Sequence, residues 1–476
     1  MLIMLLNDMK VYLRYLWTGV KPEREEVEVA IQLQKRRMKY ETNTHDEDEK
    51  TSIIFIFFLC LFSMNINAQE SLTLSKALEK ALENNYGIVI SKSEVDIAEI
   101  NNNWGTAGRY PNIGFDVNSS NSKELIDNTT SNRIAGSVGL NWAIFNEFRA
   151  NITKERLEQL ESLAKGNAAV VVENTIQEVI LSYYNILLQK DKLTVLKNLK
   201  TLSEDRYKYI QLKFDVGGTV TYEVLQAKNV FLEDKASFLN QEVNLRNAVR
   251  NFNFLIGEQP TARWNFVEEF NSDTSDYVLA DLLEKMLANN QTLQNQYTSL
   301  VLQQKETALQ KSTLYPSLNL SAGMENSYSW MNTKTQGTTS TEALTPYGNV
   351  SLSFDIYSGG TRKRAIDVAK INEEITQVEI DEMEHSLTNL LFNEYDLYNL
   401  RKTLLNVSEQ SLEAAEMNLQ IADEKFKSGA INSFNYRDIQ INYLNTALNR
   451  LQAMYNLIYS NTTLTRLTGG FLEEQE

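Results

Sequence analysis

The chain has few of the residues that hold metals, form disulfides or interrupt helices. Its 476 residues include one cysteine, two histidines and five prolines. So few prolines are expected where long helices dominate, because proline removes a backbone donor and breaks the interior of a helix. The composition therefore favours a mainly helical protein without a disulfide framework.

The residues needed for enzyme chemistry are also scarce. Beyond residue 68 the remaining histidine is His385, and the sequence has no phosphate-binding loop and no metal-ligand spacing. His385 stands between Glu384 and Ser386 in a helical run, which favours a solvated position over a ligand. The sequence therefore predicts no catalytic residue, no cofactor and no metal site.

An excess of basic residues and a long hydrophobic run are missing as well. The net charge of −16 argues against nucleic acid as a partner and against polybasic adhesion to a membrane. The apolar run Ile53–Phe62 has about ten residues, whereas a membrane-spanning helix needs roughly 20. Followed by Ala68, it is typical of a secretory signal that is cleaved there, so that the mature chain starts at Gln69 outside the cytoplasm.

Residues 1–50 do not fit the start of a signal peptide, which is normally basic. Four acidic residues, Asp46–Glu49, precede the single Lys50. Two interpretations stay open, namely a start assigned too far upstream and a real cytoplasmic extension. We assign 1–50 to an N-terminal extension and 51–68 to the signal peptide, and we expect both to be absent from the mature protein.

The strongest feature that is present is an internal duplication. Ala77–Asn85 (ALEKALENN) returns 205 residues later as Leu282–Asn290 (LLEKMLANN). Farther on, Phe214–Gly217 corresponds to Phe426–Gly429 with an offset of 212. The second copy therefore carries a seven-residue insertion after Pro316, and the two copies are otherwise one unit repeated in tandem.

The duplication predicts the domain organisation. Repeat 1 is assigned to 69–257, a linker to 258–277, repeat 2 to 278–470 and a tail to 471–476. Each repeat is expected to contain a short helix, a medium helix, a two-strand hairpin, a very long helix, a tight glycine turn and a return helix.

Four segments alternate between apolar and polar residues, as strands do. They lie at about 112–120, 134–145, 317–329 and 347–357, and each is near the ten residues that a membrane-spanning strand needs. In the last, Leu352, Phe354 and Ile356 are predicted to face lipid, and Ser351, Ser353 and Asp355 to face water. A soluble sandwich with one buried face is the alternative.

The remaining sequence predicts long helices with apolar stripes. In the return helix of repeat 1, apolar residues recur every seventh position and are expected to form the core: Val224, Phe231, Phe238, Leu245 and Phe252. Four strands in lipid would leave two unpaired edges, and four strands are too few to close a barrel. We therefore expect several copies to share one barrel.

Together these features resemble the outer membrane efflux proteins, the TolC family of Gram-negative bacteria. The resemblance covers about residues 70–470. Its most specific elements are the duplicated order of helices and strands and the glycine turns at Phe214–Ala227 and Phe426–Gln440. It implies a homotrimer in the outer membrane, with a twelve-stranded barrel continued by a helical tunnel through the periplasm.

The implied activity is passive. The family provides an exit duct for drugs, small molecules or proteins, driven by an inner-membrane transporter through a periplasmic adaptor protein. The resemblance places the adaptor contact at the two turns, on Gly217, Gly218, Thr219, Gly429, Ala430 and Ile431. These turns combine flexible glycines with apolar residues that a solvated loop would normally avoid.

The resemblance also implies a narrow periplasmic aperture lined by acidic residues. Matching from Gly429 places those positions on Asn435 and Asp438, so that one of the family's two acidic rings is an amide here. Glu223 is the counterpart of Asn435 in repeat 1 and is expected to latch neighbouring helices. Asp438 as an ordinary solvated residue is the alternative, and for the whole protein the alternative is a coiled-coil scaffold without a pore.

Overall fold

The computed structural model describes residues 70–472 except 127, 272–274 and 334–336. The predicted extension and signal peptide therefore lie outside the described residues. The helices and strands follow one another in the order β1 (Glu70–Leu72), α1 (Leu74–Asn84), α2 (Tyr86–Asn101), β2 (Asn112–Glu124), β3 (Thr129–Asn146), α3 (Arg149–Asp215), α4 (Thr221–Leu255), β4 (Trp264–Phe266), α5 (Leu279–Asn289), α6 (Gln291–Ser312), β5 (Ser317–Thr333), β6 (Gly337–Ser353), α7 (Thr361–Lys427) and α8 (Ser433–Leu467).

The two halves of the chain repeat the same elements with closely matched lengths. The long helices α3 and α7 each have 67 residues, and the return helices α4 and α8 each have 35. None of these four helices contains proline, and the turns between them contain glycine at positive φ. The duplicated sequence thus folds into duplicated helix pairs, each preceded by a pair of strands.

The chain divides into two compact units. Among the described residues, one consists of those up to Tyr86, Glu173–Leu279 and those from Asn393 onward; the other consists of Gly87–Val172 and Ala280–Phe392. The second unit contains the four-stranded antiparallel sheet, in the order β2-β3-β5-β6. No helix among the described residues is long and apolar enough to cross a membrane.

The register of the sheet collects the apolar side chains on one face. Phe115, Val138, Met324 and Pro346 lie side by side across all four strands. Two residues along, the row formed by Ile113, Leu140, Ala322 and Gly348 repeats the pattern. Because neighbours in register share a face, the alternation read in each strand becomes one continuous apolar surface.

The opposite face of the sheet is polar. The row adjacent to Val138 consists of Asp116, Ser137, Glu325 and Thr345. Glu325 forms an ion pair with Arg133. Charged side chains in this row lie on the polar face. A shift of the strand register by one residue would move them to the apolar face. The sheet therefore has two chemically distinct surfaces.

Two glycines on the polar face accommodate a tyrosine. Gly139, Gly323 and Tyr347 are neighbours in register, and a Cβ at either glycine would lie 2.8 Å from the Tyr347 hydroxyl oxygen. At Gly323 the added carbon would also clash with the backbone oxygen of Val138. The tyrosine ring consequently lies against the sheet instead of standing away from it.

The fourth strand differs from the sequence expectation. It occupies Gly337–Ser353, whereas 347–357 was expected, so Phe354 and Ile356 lie beyond its end. Asp355 is also outside the strand, where it forms an ion pair with Arg362. Only Leu352 of the three expected lipid-facing residues keeps a position in the sheet, because the chain turns toward α7 immediately after Ser353.

The other unit has an aromatic core around a short parallel strand pair. Strand β1 pairs with β4, and the hydroxyl of Tyr183 donates to the backbone oxygen of Leu72 at 2.8 Å. Tyr183 also packs edge-on against Phe252 and Phe266, with ring centroids 6.0 and 5.2 Å away. The first described strand is thereby fixed to the linker between the repeats.

The apolar stripe predicted for α4 is only partly the core. Val224, Phe231, Phe238 and Leu245 are half-buried, and Phe252 alone is fully buried. The buried stripe lies three residues farther on, at Ala227, Asp234, Gln241 and Ala248. The expectation holds for Phe252 and is wrong for the other four, because small and polar residues occupy the buried positions that face the neighbouring helices.

Candidate functional site: the helical tips

The two predicted adaptor-contact turns have the same backbone geometry. Gly217 and Gly429 have φ of 75° and 77°, which is unfavourable for most other residues. The N–H of Gly218 donates to the oxygen of Lys213 at 2.7 Å, and that of Ala430 donates to Lys425 at 2.8 Å. This six-to-one bond after a left-handed glycine terminates both long helices by the same motif.

The helices that follow the two turns begin differently. At α8 the side-chain oxygen of Asn432 accepts from the N–H groups of Phe434 and Asn435, at 3.1 and 2.9 Å. At α4 the preceding residue is Val220, which offers no such cap, and the Thr219 hydroxyl instead donates to the Glu223 carboxylate. Glu223 is therefore engaged within its own turn.

Apolar side chains are exposed mainly at the first turn. Val216 is 83% exposed and Val220 is 61% exposed. At the second turn Ala430 is exposed and Ile431 is half-buried, so Ile431 presents less apolar surface than expected from the sequence, although Phe434 at the start of α8 is 52% exposed. A Cβ at Gly217 or Gly429 would meet no atom within 4 Å, which leaves the space beside both glycines open.

The predicted aperture positions lie in the first two turns of the return helices. Asn435 and Asp438 are exposed on α8, and Glu223 is half-buried at the start of α4. Within the described part of the chain, the Asp438 carboxylate makes no hydrogen bond or ion pair. It is thus available to act on ions or on another chain.

Close to these turns, the structure contains a buried ion pair that the sequence did not indicate. The carboxylate of Asp234 on α4 accepts two bonds from Arg437 on α8, at 2.7 and 2.9 Å. Its side chain is 6% exposed and that of Arg437 is 17% exposed. Such a two-pronged contact is strongly directional, so it holds the two return helices in one register.

Further polar groups extend this contact from the return helices α4 and α8 to the long helices α3 and α7. Arg206 of α3 donates to Ser433, and the hydroxyl of Tyr436 donates to Asp423 of α7 at 3.0 Å. Burial, together with the bond to Asp423, raises the pKa of Tyr436 to about 12. Burial and the neighbouring Arg437 lower the pKa of Arg206. We call Arg206, Asp234, Asp423, Tyr436 and Arg437 the tip polar cluster.

Sequence reasoning missed the tip polar cluster because it assigned seams by hydrophobicity. A signal was present, since Asp234 and Gln241 share a seven-residue spacing with Ala227 and Ala248. A charged residue in a stripe of alanines indicates a close helix contact that needs a partner of opposite charge. The partner Arg437 lies 203 residues farther along the chain, so spacing alone could not identify it.

Comparison with known proteins identifies the class. The family model described as outer membrane efflux protein matches residues 77–258 and 282–470, one segment in each repeat. The chain belongs to the outer membrane efflux protein family. The resemblance inferred from the sequence is therefore confirmed, and the family is one of channels, not of enzymes.

Individual relatives agree with this assignment at low identity. The cation efflux system protein CusC of Escherichia coli strain K12 is 20% identical over 400 residues, covering 83% of this chain and 85% of CusC. The structure of the Campylobacter jejuni CmeC outer membrane channel has a TM-score of 0.68 at 17% identity, covering 85% of this chain and 87% of CmeC. The open state of the Neisseria gonorrhoeae MtrE outer membrane channel has a TM-score of 0.64 at 15% identity, covering 84% and 89%.

These findings define the function at the level of the family. The chain is an outer-membrane exit duct for efflux, and its helical part lies in the periplasm. The predicted mainly helical fold with a smaller strand part is also confirmed.

Proposed function

We propose that three copies of the chain form a passive channel-tunnel. Their twelve strands would close into one barrel, and their helices would continue as a tunnel through the periplasm. The observation that carries this proposal is the four-stranded sheet, which has one continuous apolar face and two edge strands, β2 and β6.

The physical reason is the cost of open sheet edges in lipid. Along β2 and β6, backbone groups without an intramolecular partner would face hydrocarbon, at several kcal/mol for each unsatisfied group. Pairing β6 of one copy with β2 of the next satisfies both edges at once. A closed ring of three copies then leaves no edge, while a single four-stranded sheet is too narrow to close by itself.

We propose for this chain the partners and the classes of cargo that the family resemblance implies. A periplasmic adaptor protein and an inner-membrane transporter would complete the pathway, and the cargo would be drugs, other small molecules or proteins. The channel would catalyse no reaction. The name of CusC refers to cation efflux, and that cargo is not carried over to this chain.

Cysteine crosslinking tests the trimer. Asn118→Cys on β2 would be combined in turn with cysteines at positions 341, 343, 345 and 347 of β6, all on the polar face. We expect at least one combination to give covalently linked trimers in outer membranes, reversible by reducing agent. As a control, Asn141→Cys with Ser321→Cys joins direct neighbours within one chain and should give only monomers. If no combination yields linked oligomers, the shared barrel is wrong.

We propose that Asp438 forms the acidic ring of the periplasmic aperture. Three carboxylates in a narrow opening would concentrate cations, so Asp438→Ala should weaken cation preference. Asn435→Asp is the complementary variant and should strengthen it, because it adds a second ring. The measurement is the reversal potential of single channels in a bilayer under a potassium chloride gradient. The same reversal potential in both variants and the unchanged protein would exclude this role.

A further inference from the structure

The edge of the sheet that joins the helices is positively charged, although the protein as a whole is acidic. We define this helix-side edge as residues 109–111, 147–149, 311–316 and 354–367, which flank the strand ends of one compact unit. It carries six cations, Arg109, Lys311, Arg149, Arg362, Lys363 and Arg364, against three carboxylates, Glu147, Asp355 and Asp367. The chain as a whole has a net charge of −16.

Several of these cations have no acidic partner among the residues that the structure describes. Asp355 pairs with Arg362, and Glu147 lies 3.8 Å from Arg149. Arg364 donates to the backbone oxygen of Gly359 at 3.1 Å and has no other hydrogen bond or ion pair from its guanidinium to a described residue. Within the described ranges, the ammonium groups of Lys311 and Lys363 make no hydrogen bond or ion pair, and both residues are exposed. The charge of the edge is thus left for an external anion.

The position of these cations in α7 is unfavourable without such an anion. Arg362, Lys363 and Arg364 occupy the first turn of α7, which contains no acidic residue. The amino-terminal end of a helix carries partial positive charge, so cations there repel it unless an anion is close by. Asp355 supplies such an anion to Arg362, but helix stability does not explain why Lys363 and Arg364 stand at this place.

The same edge presents exposed aromatic side chains beside the cations. Tyr110, Tyr315 and Tyr357 are all more than half exposed, and each lies just outside the end of a strand. Tyrosine favours the boundary between hydrocarbon and water, where its ring is apolar and its hydroxyl is wet. The edge adjoins the strand ends that carry the apolar sheet face, so in a membrane it would lie at the depth of the lipid headgroups.

We infer that the helix-side edge binds the anionic headgroups of glycerophospholipids in the periplasmic leaflet of the outer membrane. Lys311, Lys363 and Arg364 would supply the charge, and the tyrosines would lie among the headgroups. The orientation follows from the periplasmic location of the helical part. The inference rests on that location and not on the trimer, the adaptor or the aperture.

The test compares lipid selectivity in reconstituted vesicles. The full chain would be placed in phosphatidylcholine vesicles containing traces of spin-labelled phosphatidylglycerol or spin-labelled phosphatidylcholine. Electron paramagnetic resonance then measures the protein-bound fraction of each lipid. We expect preferential binding of phosphatidylglycerol, which high salt removes. Each cation near a headgroup contributes about fivefold to binding, so Lys363→Gln with Arg364→Gln should reduce the preference by fivefold or more.

Matched variants distinguish a specific effect of the helix-side edge from a general effect of the number of cations on the protein. Lys228→Gln with Lys235→Gln removes two exposed cations from α4, outside the sheet, and should leave the preference unchanged. Exchanging the two cations by Lys363→Arg with Arg364→Lys should keep it. Equal binding of both lipids by the unchanged protein, or an equal loss in the α4 variant, would overturn the inference. Channel conductance in the same vesicles reports separately on the proposed duct.

Discussion

Replacement of Gly429 or Ile431 by glutamate is expected to abolish efflux while trimer yield and outer-membrane location stay normal. These residues belong to the turn between α7 and α8, where the resemblance places contact with the adaptor. A charge at this turn would have to be desolvated on binding, which opposes contact between apolar and small residues. The measurement is drug accumulation in cells, together with crosslinking to the adaptor at matched protein levels.

The structure allows a stricter control for this experiment. Gly429 has positive φ, so a glutamate there adds backbone strain as well as charge. Asparagine tolerates this conformation and is neutral, so Gly429→Asn should keep both efflux and crosslinking. Val216→Glu tests the other turn at a side chain that is exposed and has ordinary backbone geometry. Normal efflux and normal crosslinking in all glutamate variants would show that the turns only reverse the chain.

Val138→Arg is expected to prevent assembly in the outer membrane, whereas Ser137→Arg should be tolerated. The two residues are adjacent on β3 and lie at almost the same depth, but they face opposite sides of the sheet. Val138 lies between Phe115 and Met324 on the apolar face, so an arginine there would enter lipid. The cost is about 2 to 4 kcal/mol near the membrane midplane and declines toward its surfaces.

The tolerated variant has a favourable environment for the same side chain. Ser137 lies between Asp116 and Glu325 on the polar face, where an added arginine would meet carboxylates. Assembly is measured as the fraction of heat-modifiable trimer in extracted outer membranes. This pair replaces the one indicated by the sequence, Phe354 and Ser353, because Phe354 lies beyond the end of β6. An equal loss of trimer in both variants would contradict the assignment of the two faces.

Much of the architecture could be predicted because it follows from patterns of residues close together in the sequence. Alternation of polar and apolar residues identified the four strands of the antiparallel sheet, although not the short strands β1 and β4, and the absence of proline identified the long helices. The repeated segments Ala77–Asn85 and Leu282–Asn290 established the duplication without any structural information. The tip glycines were also predictable, because a left-handed residue after a long helix strongly favours glycine.

Boundaries and long-range partners were less predictable. The end of β6 was placed four residues too far, because Phe354 and Ile356 continue the alternation after the hydrogen-bonded ladder has stopped. The seam of α4 was assigned to large apolar residues, although close helix contacts favour Ala227 and Ala248. In β6 the alternation continued past the last hydrogen-bonded residue. In α4 the large apolar side chains were not the ones buried between the helices.

The amino-acid sequence by itself determined the family, the duplicated order of elements and the turns at Gly217 and Gly429. These depend on periodicity and on backbone preferences, which act between residues close together in the chain. Tertiary structure alone decided that the apolar residues of four strands form one face and that Asp234 meets Arg437. Both require segments about 200 residues apart to be aligned, and that alignment arises from hydrogen-bonded register and helix packing, which no local pattern encodes.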